Sequence, residues 1–214
     1  MKHSEHPLWQ RLDFFSEIKG FLAEDEAEVL YDLGRDQAGQ GPCLEVGGYC
    51  GLSTACIGLG VREAGGVLFS IDHHQGSEEH QPGEEYHDNA LFDPRLGRMN
   101  SFPEFLRNRA RAGLEETVVP IVASSGLTSR HWSTPLALVF IDGGHSFEAA
   151  LRDYRGWAPH LVIGGVLAIH DIFTDPSQGG QAPHEIARMA KASGFFEPAG
   201  YVNTLGLFRR VGLD

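Results

Sequence analysis

Residues 41–54, GPCLEVGGYCGLST, decide how the chain is read. An apolar run opened by Pro42 leads into Glu45, then come Gly47, Gly48 and Gly51, and then the pair Ser53–Thr54 at the head of a helical stretch. That order predicts a strand, a tight turn and a helix N-terminus. Glycines in such a turn permit positive φ and let a ligand lie against bare backbone, while unpaired N–H groups at the helix start attract its negative end. A nucleotide-type ligand fits this unit.

The kind of nucleotide follows from the departures from a dinucleotide fingerprint. In G-x-G-x-x-G the middle glycine makes room for a pyrophosphate. Here the order is E-x-G-G-Y-C-G: Tyr49 and Cys50 fill the turn, and Glu45 ends the strand. A carboxylate there repels a phosphate and is placed to hold a cationic amino group. The expected ligand has an ammonium end and no phosphates, and S-adenosylmethionine is such a ligand.

Around this unit the hydrophobic period switches repeatedly between strand and helix. Strands are expected at 43–46, 67–71, 118–122, 136–141 and 166–169, and helices at 53–63, 102–112, 147–158 and 183–192. Two strand-like runs close the chain, near Phe195 and over 205–209. Strands alternating with helices imply a doubly wound sheet with ligands at the carboxyl ends of its strands. The fold class is therefore α/β, a Rossmann-like, mostly parallel, seven-stranded sheet. Residues 1–40 carry Leu8, Leu12 and Phe15, then Ala27, Leu30 and Tyr31, at helical spacing, and are expected to form a helical cap on a single ligand-binding domain over 41–214. The stretch 73–100, rich in Gly, Pro, His and acids, breaks the alternation directly after a strand end and reads as a lid loop.

Composition narrows the partners. The 214 residues suffice for one domain with a full core. With 29 acidic against 17 basic residues the formal charge is -12, and no stretch concentrates Lys or Arg, so nucleic acid and anionic membrane surfaces are not expected partners. No apolar run has the ~18 residues of a membrane span, and the N-terminus lacks a signal-peptide hydrophobic region, so a cytoplasmic protein is expected. Cys43, Cys50 and Cys56 all fall in the first strand-turn-helix unit without a C-x-x-C pair and read as small buried hydrophobes.

Chemistry-bearing residues cluster at the strand ends. Asp72 ends the second strand, where an acid accepts both ribose hydroxyls of an adenosyl group, and His73 beside it is placed to pack on adenine. The apolar run 137–141 delivers Asp142, with His145 one short turn on, and the run 166–169 delivers His170 and Asp171. Asp142, His170 and Asp171 at one sheet edge offer oxygen and imidazole ligands suited to Mg²⁺, Mn²⁺ or Fe²⁺. A divalent cation lowers the pKa of a hydroxyl, and a histidine near neutrality takes its proton, which assigns His145 as base or further ligand.

The segment LEVGGYCGLS, residues 44–53, closely resembles the first motif of metal-dependent class I S-adenosylmethionine methyltransferases of the catechol O-methyltransferase type. FIDGGHSFEAALRDY, residues 140–154, is similar to the wider group of sugar and small-molecule O-methyltransferases, and the likeness runs from about Pro42 to Arg209. The resemblance implies a metal-binding aspartate at Asp142. It puts His170–Asp171 where those enzymes carry Asp–Asn, and His145 where they carry a general-base lysine. It also implies that Ser124 and Ser125 touch adenine, while Trp132 either walls the adenine pocket or belongs to the core. Members of the family often pair, so a homodimer is the assembly the resemblance implies.

The resulting expectation is an S-adenosylmethionine-dependent, divalent-metal-assisted transfer of methyl to a hydroxyl of a small molecule. Glu45, Gly47, Gly48, Tyr49, Ser53, Asp72, His73, Ser124 and Ser125 would bind the cofactor, His145 and Asp142 would act in catalysis, and Asp142, His170 and Asp171 would hold the metal. The competing readings are a non-haem iron oxygenase-like enzyme on the same fold and a non-catalytic adenosyl-binding module.

Overall fold

The computed structural model describes residues 5–77 and 88–212. Two helices, α1 (Pro7–Arg11) and α2 (Glu24–Gln37), separated by a 3-10 turn at Phe15–Glu17, precede the first strand, β1 (Cys43–Val46). Then follow α3 (Leu52–Glu63), β2 (Leu68–Asp72), a short hairpin of β3 (Phe92–Asp93) and β4 (Arg98–Met99), and α4 (Phe102–Arg111). The second half holds β5 (Val118–Val122), α5 (Ser125–Ser129), β6 (Leu136–Ile141), α6 (Phe147–Trp157), β7 (Leu161–Ile169), α7 (Ala182–Ala192), β8 (Phe196–Val202) and β9 (Leu205–Arg210).

Seven strands form one sheet in the order β5-β2-β1-β6-β7-β9-β8, parallel except for β9, which runs antiparallel to both neighbours. Strand order reverses between β1 and β6, which opens a crevice at their carboxyl ends.

The central strands are mostly apolar, β6 throughout, because both faces of the sheet are covered. Alternate residues go to different cores. Cys43, Leu138, Phe140, Val166 and Ala168 pack with α1 to α4, whereas Leu44, Val139, Ile141, Leu167 and Ile169 pack with α6 and α7. On the first face α2 lies hard against α3: a Cβ on Gly60 would come within 2.0 Å of the Tyr31 carbonyl oxygen, so the two backbones touch there. The same alternation sends Glu45, Ser70, Asp72, Asp142 and His170 towards the α2–α3 side at the carboxyl edge.

Several elements depart from the sequence expectation. Strand β7 starts at Leu161 and not at Val166, with a register irregularity opposite Leu136 and Leu138; Gly164 and Gly165 conceal its first half in the sequence. Helix α5 is only five residues long and was not anticipated. Of the stretch 73–100, residues 78–87 lie outside the described residues, so the lid reading is not addressed there. The remainder is ordered structure: Leu91 and Met99 pack with Cys50 and Tyr49, which fastens the hairpin to the glycine turn. Lys19 forms an ion pair with Asp88 and ties the N-terminal segment to the same place.

Candidate functional site

A cavity of about 390 Å³ opens at the carboxyl ends of β1, β2 and β6. Its walls come from Gly47, Gly48, Tyr49 and Ser53 after β1, Asp72 and His73 after β2, Ser124 and Ser125 after β5, and Asp142 to Ser146 after β6. Asp171 closes one end, and Lys19 to Leu22 cover it from the N-terminal segment. Its volume lies in the range of small-molecule sites.

The glycine turn is built around Gly47, whose φ is +100°. A Cβ there would sit 1.9 Å from the Asp142 carbonyl oxygen, so only glycine lets the turn meet the end of β6. Tyr49 follows in the left-handed region, at φ 43°, and its N–H donates to Asp72 Oδ2 over 2.7 Å. Asp72 Oδ1 accepts from the His74 N–H, also at 2.7 Å. Two backbone donors thus fix the carboxylate, and since each of its oxygens has a second lone pair, it still has acceptor capacity towards the cavity. His73 lines the cavity with its side chain nearly half exposed, and its Nδ1 accepts from the Gln75 N–H at 3.0 Å. His74 points the other way, buried against Phe102 and Phe105 and hydrogen-bonded to Ser101.

Glu45 requires a correction. It is fully buried and is not on the cavity wall. Its carboxylate accepts hydrogen bonds from Ser53 Oγ and Ser70 Oγ, both at 2.6 Å, and from Thr54 Oγ1. The alternation of β1 turns Glu45 under α3, where it ties helix to sheet beneath the glycine turn. Burial pushes its pKa up to about 7, against the opposing pull of the three hydroxyls.

At the far end, Ser124 caps the start of α5 in extended backbone and Ser125 opens the helix. Ser125 Oγ accepts from Trp157 Nε1 at 2.7 Å and also pairs with the buried Asp153, so its hydroxyl serves the wall, and Ser124 is the serine left to face a ligand. Trp132 does not line this cavity; its half-buried ring packs edge-on against Phe69 at 5.0 Å and Trp157 at 5.4 Å, at the margin of the core beneath α6. Arg152, from α6, lines the cavity beside Asp153.

Asp142, His170 and Asp171 come together as the sequence suggested: one ligand atom from each lies within 4.8 Å of the others. Asp171 has φ 58°, a left-handed turn just past the end of β7 that brings it round to the side its neighbour His170 already faces. His145 Nε2 is 3.0 Å from Asp171 Oδ2. His170 is buried, with Nδ1 3.2 Å from Asp142 Oδ1 and 3.5 Å from Asp171 Oδ1.

The partner of the other His170 nitrogen was not foreseen. Nε2 lies 3.1 Å from Oε2 of Glu26, a buried residue in the first turn of α2. Burial alone would lower the His170 pKa, but the charge and hydrogen bond of Asp142, with the hydrogen bonds of Asp171 and Glu26, hold it far above the ordinary histidine value. Burial likewise opposes the charges of Asp171 and Glu26, yet hydrogen bonds from the two histidines hold Asp171 far below the usual carboxylate range, and His170 holds Glu26 below it. Nothing around Glu26 in the sequence hinted at this, since it sits in a run of acids at a helix start.

Residues 44–172 match the family profile described as a methyltransferase domain. Among solved structures, the chain superposes on the O-methyltransferase NovP with TM-score 0.67 at 17% identity, covering 87% of this chain and 79% of that one. The O-methyltransferase TomG from Streptomyces achromogenes, solved with S-adenosylmethionine, gives 0.63 at 16% identity over 99% and 92%. An O-methyltransferase from Bacillus cereus, solved with S-adenosylhomocysteine, gives 0.63 at 14% identity over 98% and 93%. At these identities the likeness is one of fold.

Proposed function

The chain belongs to the methyltransferase-domain family, and from that premise we propose that it is an S-adenosylmethionine-dependent O-methyltransferase that acts on a hydroxyl of a small molecule with the help of a divalent metal. The observation that carries the reading is the convergence, on one cavity at the strand-order reversal, of the glycine turn, Asp72 and the Asp142–His145–Asp171 group.

In this reading the turn at Gly47, Gly48 and Tyr49 presents backbone to the cofactor, and Asp72, already aimed by two N–H groups, accepts the ribose hydroxyls. Ser53 reaches the cavity, while Glu45 beneath it holds the turn and helix together. His73 and Ser124 flank the adenine end. The cofactor supplies a methyl group on a sulfonium, an electrophile that needs an ionised or ionising oxygen in line with it.

The donor set fits a small divalent ion. Glu26, Asp142 and Asp171 are three carboxylates around one imidazolium, His170, which leaves two negative charges to be balanced before His145 is counted. Carboxylates with one imidazole suit Mg²⁺, Mn²⁺ or Fe²⁺, and such an ion would displace the proton on Nδ1 of His170. When bound, the ion lowers the pKa of an acceptor hydroxyl. His145 is the candidate general base: it lines the cavity, and Asp171 at 3.0 Å both orients the ring and stabilises the cation formed when it takes the proton. Phe21 and Leu22 give the acceptor end an apolar wall.

A calorimetric titration of S-adenosylmethionine and S-adenosylhomocysteine, with and without Mg²⁺ or Mn²⁺, on wild type and Asp142→Ala, tests the reading. Binding of both adenosyl ligands, with a metal heat lost in the variant, is expected. No adenosyl binding overturns the reading, whereas adenosyl binding without any metal heat overturns only its metal part.

A further inference from the structure

We propose that Glu26 is a positioning residue of the cation site, one that holds the Nε2–H of His170 and thereby turns Nδ1 onto Asp142 and Asp171. The inference rests on the metal-assisted reading above and extends that site to the N-terminal helices, which sequence reasoning treated only as a cap.

The geometry leaves Glu26 little other orientation. Oε1 accepts from the Thr204 N–H and from Thr204 Oγ1, both at 2.9 Å, and Oε2 accepts from the Ala23 N–H at 3.1 Å and from His170 Nε2 at 3.1 Å. The carboxylate is therefore clamped by the start of its own helix and by the β8–β9 turn before it meets the histidine. A glutamate at this helix position needs only the Ala23 contact to cap α2, and it does that equally well in solvent. Burying it at 3% exposure against a histidine that is itself 4% exposed calls for a further reason. A carboxylate on one ring nitrogen fixes the tautomer and swing of an imidazole, so that the other nitrogen presents to a cation; such outer partners set metal affinity by about 10- to 100-fold.

The alternative is a plain structural latch between α2, the β8–β9 turn and the sheet. The two roles separate in the Thr204→Val variant, which removes one donor to Glu26 but leaves the carboxylate and His170 untouched. Mn²⁺ affinity, read by calorimetry or by the loss of free-ion electron paramagnetic resonance signal, should fall by about 10- to 100-fold in Glu26→Gln and stay at the wild-type value in Thr204→Val, while both variants melt below wild type. Should Glu26→Gln fail to fold, Glu26→Asp keeps the charge but withdraws it by one methylene, and a weakened Mn²⁺ isotherm is expected in its place. Equal Mn²⁺ affinity in wild type and the Glu26 variant overturns the inference and leaves the proposed function intact. Wild type that binds S-adenosylhomocysteine but no Mn²⁺ overturns both the inference and the metal part of that function.

Discussion

Changing Glu45 to glutamine should flatten the dependence of stability on pH across the acid-to-neutral range. In the fold this carboxyl is fully buried and its pKa stands at about 7, raised by burial against three hydroxyl donors. In the unfolded chain it returns to about 4.5, the ordinary value. Between these values the folded protein holds a proton that the unfolded chain has lost. The stabilising contribution is therefore complete below pH ~4.5 and is lost as pH rises towards 7. At about 1.36 kcal/mol per pKa unit, the loss is about 3 kcal/mol. The glutamine side chain in Glu45→Gln keeps an acceptor for Ser53 and a donor that the Thr54 and Ser70 hydroxyls can accept, without the ionisation. Urea denaturation of both proteins at intervals from about pH 4.5 to 8 gives the difference directly, since the other titrating groups cancel. The wild-type curve should descend relative to the variant by about 3 kcal/mol across that window. Parallel curves would refute the argument that a buried, proton-holding carboxyl sits beneath the glycine turn.

Gly47→Ala should abolish S-adenosylhomocysteine binding and destabilise severely, because its Cβ meets the Asp142 backbone at 1.9 Å; Gly65→Ala, also at positive φ but with open space around it, should cost only about 1 kcal/mol by denaturation. Asp72→Asn should weaken S-adenosylhomocysteine binding by about 10- to 100-fold, the worth of hydrogen bonds to a charged group, and a calorimetric isotherm equal to wild type would count against its role at the ribose. His145→Ala should leave that isotherm unchanged and lower methyl transfer from labelled S-adenosylmethionine to an accepted phenol or sugar by about 10²- to 10⁴-fold, whereas an undiminished rate would remove it as general base.

The sheet was readable because its central strands are buried on both faces and therefore mostly apolar, without interruption in LALVFI of β6. Pro120 did not disturb the reading of β5, and the structure shows why: β5 is the edge strand, where a missing N–H is tolerated. What escaped was too short or too interrupted to carry a period: the two-residue strands β3 and β4, the single turn and a half of α5, and the glycine-broken start of β7. At the site, Asp72, Asp142 and the pair His170–Asp171 could be picked out because they stand where largely apolar runs stop abruptly, and His145 because it follows Asp142 by one short glycine turn. The misplacement of Glu45 was avoidable in principle, since it lies two residues from Cys43 and so on the same face, under α3. The contact of Glu26 with His170 spans 144 residues of sequence, and no local pattern reports it.

Asp171 poses a sharper physical question, because if β7 simply ran on past Ile169 the next two residues would point to opposite faces, and yet His170 and Asp171 reach the same cluster. The backbone resolves it by turning left-handed at Asp171, φ 58°, at a cost of roughly 1–2 kcal/mol for a residue with a Cβ. Asparagine and aspartate tolerate that region best, since their short polar side chains bond locally. Charge and conformation can therefore be separated at this position. Asp171→Ala removes the ligand oxygen and should lose Mn²⁺ binding in calorimetry, whereas Asp171→Asn keeps a carbonyl oxygen in its place and should weaken that binding less. Only the alanine variant should bear the full conformational cost, melting below the asparagine variant by the equivalent of about 1 kcal/mol. Wild-type Mn²⁺ affinity in Asp171→Ala would remove Asp171 from the cation site. Equal stability of the two variants would mean that the left-handed turn is held by its surroundings, and that residue type has no part in bringing the two neighbours to one point.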